Sequence, residues 1–307
     1  MVAQRIGVVL INWDGEEFTI PCIKSLMAST VLPWKIIVVD NASTDGSPEH
    51  IAARFPDVDL IRNDTNLGFT GGNNVGIRSV LNSAEYIWLL NNDTVVQPTC
   101  LERLLGEMEK DRSIASVTGK ILYPPPDKRI WYAGAKFHYW RLSARHRGAG
   151  EDDVGQYDRS EDVPFISGCC MMMKKEAFET VGLFDDTFFA YSEDFDWCLR
   201  ARRLGLRLRY VPGAILYHRV SASLHKHRGK ISGGTTSPFG VYITNRNRLY
   251  IIRKHASNPM QWFSAMISHM LWCGYYGVIL FIIGRWDKLF ALIRSIRDGL
   301  ITRTEAV

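Results

Sequence analysis

The chain has 307 residues, enough for about two domains, and its 46% hydrophobic and 22% charged composition is globular rather than disordered or low-complexity. A formal charge of +5, from 37 basic and 32 acidic residues, is too small to indicate a nucleic-acid partner. Six cysteines without CxxC spacing argue against a disulfide scaffold or a zinc ribbon and predict buried thiols in a reducing compartment.

The charges are unevenly distributed along the chain. Residues 151–199 contain 13 acidic and 3 basic residues, whereas residues 200–230 contain nine Lys or Arg and no acidic residue. Adjacent acidic and basic segments suit a site that holds both a metal and phosphates, although two solvated faces of opposite sign would give the same pattern.

The first third of the chain alternates between short apolar runs and segments of helical length. The first run, 6–11, is too short for a signal peptide and is followed at once by Asn12, Trp13 and Asp14, so it predicts a buried strand. The alternation predicts a doubly wound α/β sheet, mostly parallel, with ligands outside the carboxyl ends of its strands. The predicted strands are 6–11, 36–39, 58–61, 86–90 and 114–117, and the predicted helices are 16–28, 47–54, 71–83 and 98–110.

The middle of the chain is less regular. Residues 130–139 could form a hairpin, and the polar stretch 141–162 is predicted to be a mobile surface excursion. Residues 193–204 are typical of a helix, and 207–218 of a strand pair that turns at Pro212-Gly213.

The last third is apolar. No Asp, Glu, Lys or Arg occurs between 256 and 284, and residues 286–300 form an amphipathic pattern with basic polar positions. The uncharged segment is long enough for one membrane crossing. Three interpretations stay open: a spanning helix, helices lying in the membrane interface, and a buried helical hairpin.

Two polar clusters are typical of nucleotide binding. Asp40, Asn41 and Ser43 follow the second strand, where a carboxylate can accept a hydrogen bond from a base or a ribose, although a capped turn would look the same. The glycine-rich segment 66–76 precedes a helix, whose N-terminus favours phosphate. It matches neither a Walker motif nor a Rossmann fingerprint.

Two further clusters supply carboxylates. Asn91-Asn92-Asp93 ends an apolar strand and could hold Mg²⁺ or Mn²⁺, or form an ordinary Asx turn. Glu193 and Asp194 open a helix, where one of them could serve as a general base, or both could simply complement the helix dipole.

Taken in order, the four clusters resemble the family 2 glycosyltransferases, and most closely their rhamnosyltransferase-like branch, over about residues 5–250. The resemblance implies a GT-A fold, a single αβα sandwich with a mostly parallel central sheet. It places the catalytic domain at 1–240 and a helical, membrane-associating region at 241–307.

The resemblance also implies roles for individual residues. Asp40 would contact the uracil or thymine of the nucleotide. Asp93 would bind the metal as the last carboxylate of a DxD motif, and Asp194 would be the catalytic base. Asn91 replaces the first carboxylate of that motif, which weakens the expectation of tight metal binding without donor. Further contacts to the nucleotide sugar are implied for Ile11, Asn12, Asn41, Gly68, Gly71, Asn73, Asn91 and Asn92, and roles near the acceptor or behind it for Gly168, Glu193 and Trp197.

Three histidines lie in or near the basic segment. His218 ends an apolar strand and is a candidate second metal ligand, or a surface residue beside Arg219. His225 and His227 are expected to face phosphate or lipid headgroups.

The leading hypothesis is an inverting glycosyltransferase dependent on Mn²⁺ or Mg²⁺. The donor is expected to be a nucleotide-diphosphate sugar, best dTDP-rhamnose, and the acceptor a hydroxyl of a lipid-linked or cell-envelope glycan. The protein is expected at the cytoplasmic face of the cell membrane, peripheral or single-span. The alternatives are a non-catalytic membrane-associated nucleotide-sugar binder, a UDP-sugar-dependent enzyme with another acceptor, and a nucleotidyltransferase, which the acidic segment 12–17 disfavours.

Overall fold

The computed structural model describes residues 5–219 and 237–302. Its strands are β1 (Ile6–Asn12), β2 (Lys35–Asp40), β3 (Asp59–Arg62), β4 (Tyr86–Leu90), β5 (Thr94–Val96), β6 (Ile114–Leu122), β7 (Ile130–Tyr132), β8 (Ala135–His138), β9 (Ser143–His146), β10 (Glu161–Asp162), β11 (Cys170–Lys174) and β12 (Arg207–His218). Its α-helices are α1 (Glu16–Met27), α2 (Ser47–Arg54), α3 (Gly68–Val80), α4 (Cys100–Met108), α5 (Lys175–Val181), α6 (Glu193–Arg203), α7 (Pro238–His255), α8 (Pro259–Ile282) and α9 (Trp286–Ile301).

One ten-stranded sheet forms the centre of the molecule, in the order β10-β12-β6-β11-β4-β1-β2-β3, with β5 and β7 added at β12 and β6. The half containing β3, β2, β1 and β4 is entirely parallel, whereas β11 runs antiparallel between β4 and β6. The predicted α/β class with a mostly parallel sheet is therefore confirmed, and each strand and helix predicted before residue 120 is present.

The core explains why the early strands lack polar alternation. β1, β2 and β4 are buried at nearly every position, as required of strands covered on both faces. α3 lies so close to β1 that a Cβ on Gly76 would collide with Val9. This contact fixes α3, and hence the glycine-rich segment before it, against the tip of β1.

Two predictions for the middle of the chain are wrong. The hairpin is formed by β8 and β9, with Ala135 opposite His146, while 130–132 pairs with β6 instead. Residues 207–218 form one long strand, because Pro212 and Gly213 lie in a bulge between Val211 and Ile215 rather than in a turn.

The polar stretch 141–162 is attached to the sheet rather than extended from it. It contributes β9 and β10, and buried Lys120 forms ion pairs with Asp153 and Asp158. The six cysteines are free and buried, as predicted.

The C-terminal helices pack on one another and on the sheet domain. α9 lies along α7, where Gly299 faces Leu249 and Tyr242 donates a hydrogen bond to Asp298 (2.9 Å). α8 reaches the 3₁₀ turn Tyr139–Arg141, whose Tyr139 carbonyl accepts from Gln261 (2.8 Å). The predicted domain boundary at residue 240 falls inside the first turn of α7 and stays a prediction.

Two glycine substitutions test the close contact of α3. Gly76→Ala should lower the free energy of unfolding by about 1–3 kcal/mol, because the new methyl group has no space beside Val9. Gly106→Ala is the matched control, since no atom lies within 4 Å of its Cβ position in α4, and it should stabilise by ~0.5–1 kcal/mol. Urea unfolding measures both, and equal effects would contradict the assigned packing.

Candidate active site

The carboxyl ends of β1 and β2 meet at one edge of the sheet, where the register places Asn12 beside Asp40. Asp40 is buried, and its carboxylate accepts from the Asn12 amide (2.8 Å) and from the Ser43 backbone N–H (3.0 Å). These two hydrogen bonds fix the orientation of the carboxylate. Its remaining lone pairs can then accept from an N–H or O–H group of a nucleobase or a sugar.

A chain of hydrogen bonds links this pocket to the end of β4. Thr19 donates to Asn12 (2.8 Å), and Asn92 donates to Thr19 (2.8 Å). Thr19 joins the first and third polar clusters, and sequence reasoning missed it because a threonine inside a helix has no distinguishing local pattern.

The glycine-rich segment begins its helix at Gly68, three residues earlier than predicted. Gly68 has φ +71° and no space for a side chain against Phe189. Asn41 donates to the Gly68 carbonyl (2.8 Å), which joins the first cluster to the second. Asn73 instead donates to the Phe69 carbonyl of its own helix (2.8 Å).

Ile11 and Gly71 also lie at this edge. Ile11 is half-buried and packs against Gly72, while Gly71 packs closely on Leu67 at the helix N-terminus. In the first turn of α3, the Gly68 N–H donates to the Asn66 side chain (2.8 Å) and the Thr70 N–H to the Phe189 carbonyl (3.0 Å), so the helix dipole remains as the feature that favours an anion here.

A buried pair of candidate metal ligands forms where β5 meets β12. The antiparallel register places His218 opposite Thr94, which brings its Nε2 to 3.0 Å from Asp93 Oδ1. Asn91 lies 3.5 Å from the same nitrogen through its amide, and its buried carbonyl oxygen has no hydrogen-bond partner in the described chain. The Trp131 and His218 rings pack edge to face, with 4.6 Å between their centroids.

This donor set fits a small divalent cation. One carboxylate, one imidazole and an unpartnered amide oxygen are ligands that Mn²⁺ accepts. Across residues 5–219 and 237–302, no group of three or more His, Cys, Asp or Glu converges on one point. Any ion would therefore need additional ligands from water or substrate.

Asp194 lies at the start of α6 and accepts from the backbone N–H groups of Gly168 (2.9 Å) and Phe195 (2.7 Å). Burial raises the pKa of Asp194 to about 6. Glu193 is more deeply buried and one of its carboxylate oxygens has no partner. Burial, reinforced by the neighbouring Asp194, raises the pKa of Glu193 well above its ordinary value. Asp194 is therefore the member of the pair that ionises near neutral pH.

Trp197 does not face the cleft. Its ring is fully buried, packs near Phe178, and donates through its indole N–H to the Gly182 carbonyl (2.9 Å). The position excludes direct contact with an acceptor and leaves a supporting role behind α6. Gly168, in contrast, supplies its N–H to Asp194 and lies against Phe69 of the glycine-rich segment.

A buried ionic cluster forms around Asp196, two residues beyond Asp194, and the sequence did not predict it. Asp196 contacts His255 (2.7 Å), Lys254 (3.0 Å) and Arg200 (2.8 Å). Although burial opposes it, these partners lower the pKa of Asp196 to about 2. Its partners come mostly from the end of α7, so no local sequence pattern could have indicated the cluster. His225 and His227 lie outside the described residues.

The order of this sheet, with polar clusters at its strand ends, is that of a GT-A glycosyltransferase. The fold is similar to that of GalNAc-T7 with UDP, GalNAc and Mn²⁺ (TM-score 0.62, 16% identity, 82% of this chain and 48% of that one). It is also similar to the mannosyltransferase PcManGT from Pyrobaculum calidifontis in complex with GDP-Man and Mn²⁺ (TM-score 0.57, 14% identity, 98% and 88%).

Residues 7–182 match Glycosyl transferase family 2, and the chain belongs to this family. It is 26% identical to the N-acetylglucosaminyl-diphospho-decaprenol L-rhamnosyltransferase of Mycobacterium tuberculosis, over 71% of this chain and 77% of that protein. It is 27% identical to the dTDP-rhamnosyl transferase RfbF of Shigella flexneri, over 72% and 71%. The resemblance to rhamnosyltransferases drawn from the four clusters is confirmed.

Proposed function

We propose that this glycosyltransferase inverts the anomeric centre of a nucleotide-diphosphate sugar as it transfers the sugar to a hydroxyl of a lipid-linked or cell-envelope glycan. The proposal rests on Asp194, whose carboxylate has a raised pKa and accepts a hydrogen bond from the Gly168 N–H. Gly168 in turn lies against Phe69 of the glycine-rich segment. The names of the two rhamnosyltransferase relatives support dTDP-rhamnose as donor and a diphosphate-linked lipid as acceptor.

The donor would bind along the strand ends. Asp40, oriented by Asn12, would accept from the nucleobase, and the diphosphate would lie near the N-terminus of α3, where the helix dipole favours an anion. Asn41 and Asn92 hold the segments on either side through hydrogen bonds to the Gly68 carbonyl and to Thr19.

Mn²⁺ or Mg²⁺ would be held by Asp93 and His218, with the unpartnered Asn91 oxygen completing the protein ligands. The fold neighbours named with Mn²⁺ support this choice. When bound, such an ion supplies positive charge that stabilises the departing diphosphate.

Asp194 acts on the acceptor. Its carboxylate takes the proton of the attacking hydroxyl as the oxygen bonds to the anomeric carbon, while the bond from that carbon to the diphosphate oxygen breaks on the opposite side. The Gly168 N–H keeps the carboxylate directed at this point through the reaction. Burial, reinforced by the neighbouring Asp194, raises the pKa of Glu193, which disfavours a second negative charge beside Asp194.

The alternatives make different demands on the site. A non-catalytic binder has no need for a carboxylate tuned to titrate near pH 6, so Asp194 favours the enzyme. A UDP-sugar donor would use the same contacts, and a panel of donors distinguishes it. Release of nucleotide diphosphate that increases with acceptor would separate transfer from binding alone.

Helix α8 supports attachment to a membrane surface. It is the one helix in residues 5–219 and 237–302 that is long and apolar enough to cross a membrane, with a mean hydropathy of 1.5. One face is buried along most of its length, from Gln261 through His269 to Leu280. The opposite face exposes large apolar side chains at helical spacing: Met260, Phe263, Ile267, Leu271, Tyr275, Val278 and Ile282.

The buried share of the apolar window of α8 is 28%, confined to one face, and a helix crossing the bilayer would lose the packing of that face. We therefore place α8 in the plane of the membrane interface, with its apolar face toward the acyl chains. α9 continues the surface with exposed Trp286, Phe290 and Ile293, and exposed Arg294 and Arg297 suit anionic headgroups. The free thiols agree with a peripheral position on the cytoplasmic side.

The first prediction concerns the base. Asp194→Asn should reduce turnover by ~10²–10⁴-fold because it removes the proton acceptor, and donor affinity should stay nearly constant. Wild-type turnover should rise with pH through about 6 as Asp194 ionises. Glu193→Gln is the matched control, and a larger turnover loss there would transfer the role to Glu193.

The same variant carries a stability signature. Because the folded state raises this pKa, the wild type loses stability as pH rises to about 6, and Asp194→Asn should be more stable above that pH by on the order of 1–3 kcal/mol.

The second prediction concerns the metal. Excess EDTA should abolish transfer, and Asp93→Asn should lose Mn²⁺ binding measured by calorimetry in the presence of nucleotide diphosphate. Asn91→Asp should bind Mn²⁺ more tightly than the wild type, since it adds a carboxylate beside Asp93. Full activity in EDTA, or unchanged binding in both variants, would refute the site.

The third prediction concerns the membrane. Phe263→Glu and Leu271→Glu should each weaken sedimentation with anionic phospholipid vesicles by about tenfold or more. Each removes an apolar side chain that would be buried in the membrane and adds a negative charge that anionic lipid repels. Leu32→Glu, at a similarly exposed position outside the C-terminal helices, should have no effect. Wild-type protein that resists carbonate extraction would contradict the in-plane orientation.

A further inference from the structure

The loop before the catalytic helix is held in an unfavourable backbone conformation. Phe189, Tyr191 and Ser192 have φ values of 63°, 65° and 75°, a region that residues with a side chain rarely adopt. Ser192 directly precedes the Glu193-Asp194 pair. Such conformations persist only where surrounding contacts enforce them, and they concentrate at functional sites.

The contacts that enforce this loop come from α7. Asn247 is fully buried, and its amide nitrogen donates to the carbonyls of Phe188 (3.0 Å), Ala190 (2.8 Å) and Tyr191 (2.7 Å). An NH₂ group has only two hydrogens, so at least one of them is shared between two of these three carbonyls.

Arg246 fixes the orientation of that amide. Its guanidinium donates to the Asn247 side-chain oxygen through Nε (3.0 Å) and Nη2 (2.9 Å). The same group also donates to the carbonyls of Thr187 (2.8 Å) and Phe188 (3.0 Å). The two neighbouring side chains therefore bind four of the carbonyls between 187 and 191.

The other side of the loop contacts the glycine-rich segment. The Phe189 carbonyl accepts from the Thr70 N–H (3.0 Å), and Gly68 has no space for a side chain against Phe189. The loop thus joins the N-terminus of α3, on the donor side, to the N-terminus of α6, which carries Asp194.

We infer that Asn247, oriented by Arg246, is a positioning residue that holds loop 187–192 so that Asp194 and the α3 N-terminus keep a fixed separation. The inference rests on the proposed function for the role of Asp194. It makes α7 part of the catalytic unit, although it lies beyond the predicted boundary at residue 240.

Asn247→Ala tests the inference, with Asn245→Ala as its matched control. Asn245 is also a buried asparagine of α7, but its amide donates only to the Val241 carbonyl one turn earlier (2.7 Å). Asn247→Ala should lower kcat by about 10²-fold, since a displacement of ~1 Å at a catalytic group has that effect, while the donor KM changes little. Asn245→Ala should retain wild-type kcat.

A rescue variant separates positioning from general destabilisation. Ser192 makes no side-chain cap hydrogen bond, and glycine adopts its φ without strain. Ser192→Gly in the Asn247→Ala background should therefore recover part of the lost kcat. A merely structural role for Asn247 predicts no recovery.

Hydrogen–deuterium exchange supplies a readout that does not depend on activity. Amides of 187–194 should exchange faster in Asn247→Ala, with the β1 and β4 amides unchanged. If Asn247→Ala does not fold, Arg246→Lys keeps the charge, loses the paired contacts, and should give a smaller change in the same direction.

The outcomes distinguish the two proposals. Unchanged exchange and unchanged kcat in Asn247→Ala, or equal kcat loss in Asn245→Ala, would overturn the positioning role. Faster exchange at 187–194 in Asn247→Ala, together with a wild type that transfers no sugar from any donor, would support the role of Asn247 in holding the loop and reject the proposed function.

Discussion

Burial of carboxylates at one end of a sheet is the constraint on which the site depends. A carboxylate removed from water is stable as an anion only if donors surround it. Asp40 has Asn12 and Ser43, whereas Asp196 has two cationic side chains, Lys254 and Arg200, together with His255, and a pKa of about 2. Asp194, two residues earlier on the same helix, has only two backbone N–H groups, and its pKa rises to about 6. The partners, rather than depth alone, separate a structural carboxylate from one able to exchange a proton.

Local patterns in the sequence predicted the strands, the helices and the polar residues at the strand ends. Residues at strand ends, such as Asp40, Asp93 and His218, were identifiable because apolar runs stop there and parallel strands converge. Contacts across the chain were not identifiable. Thr19, Asn247 and the partners of Asp196 acquire their roles only after folding brings distant segments together.

The errors have physical causes too. Pro212-Gly213 has the composition of a turn, but the flanking residues gain more from pairing with β6, so the strand continues through a bulge. Trp197 was predicted to lie near the acceptor or behind it, and its position on α6 directs the ring into the core, so the role behind the acceptor site is the one that stays a prediction. The boundary at residue 240 stays a prediction, and contacts of α7 with the loop before α6 cross it.

The packing of α8 on its own domain has a geometric consequence. α8 contacts α7, α9 and the Tyr139 turn, and α7 contacts the loop that precedes the helix carrying Asp194. If α8 lies in the bilayer surface as proposed, this series of contacts would set the height of the Asp194 carboxylate above the lipid. An acceptor hydroxyl would then come within reach only when the glycan between it and the membrane has the matching length.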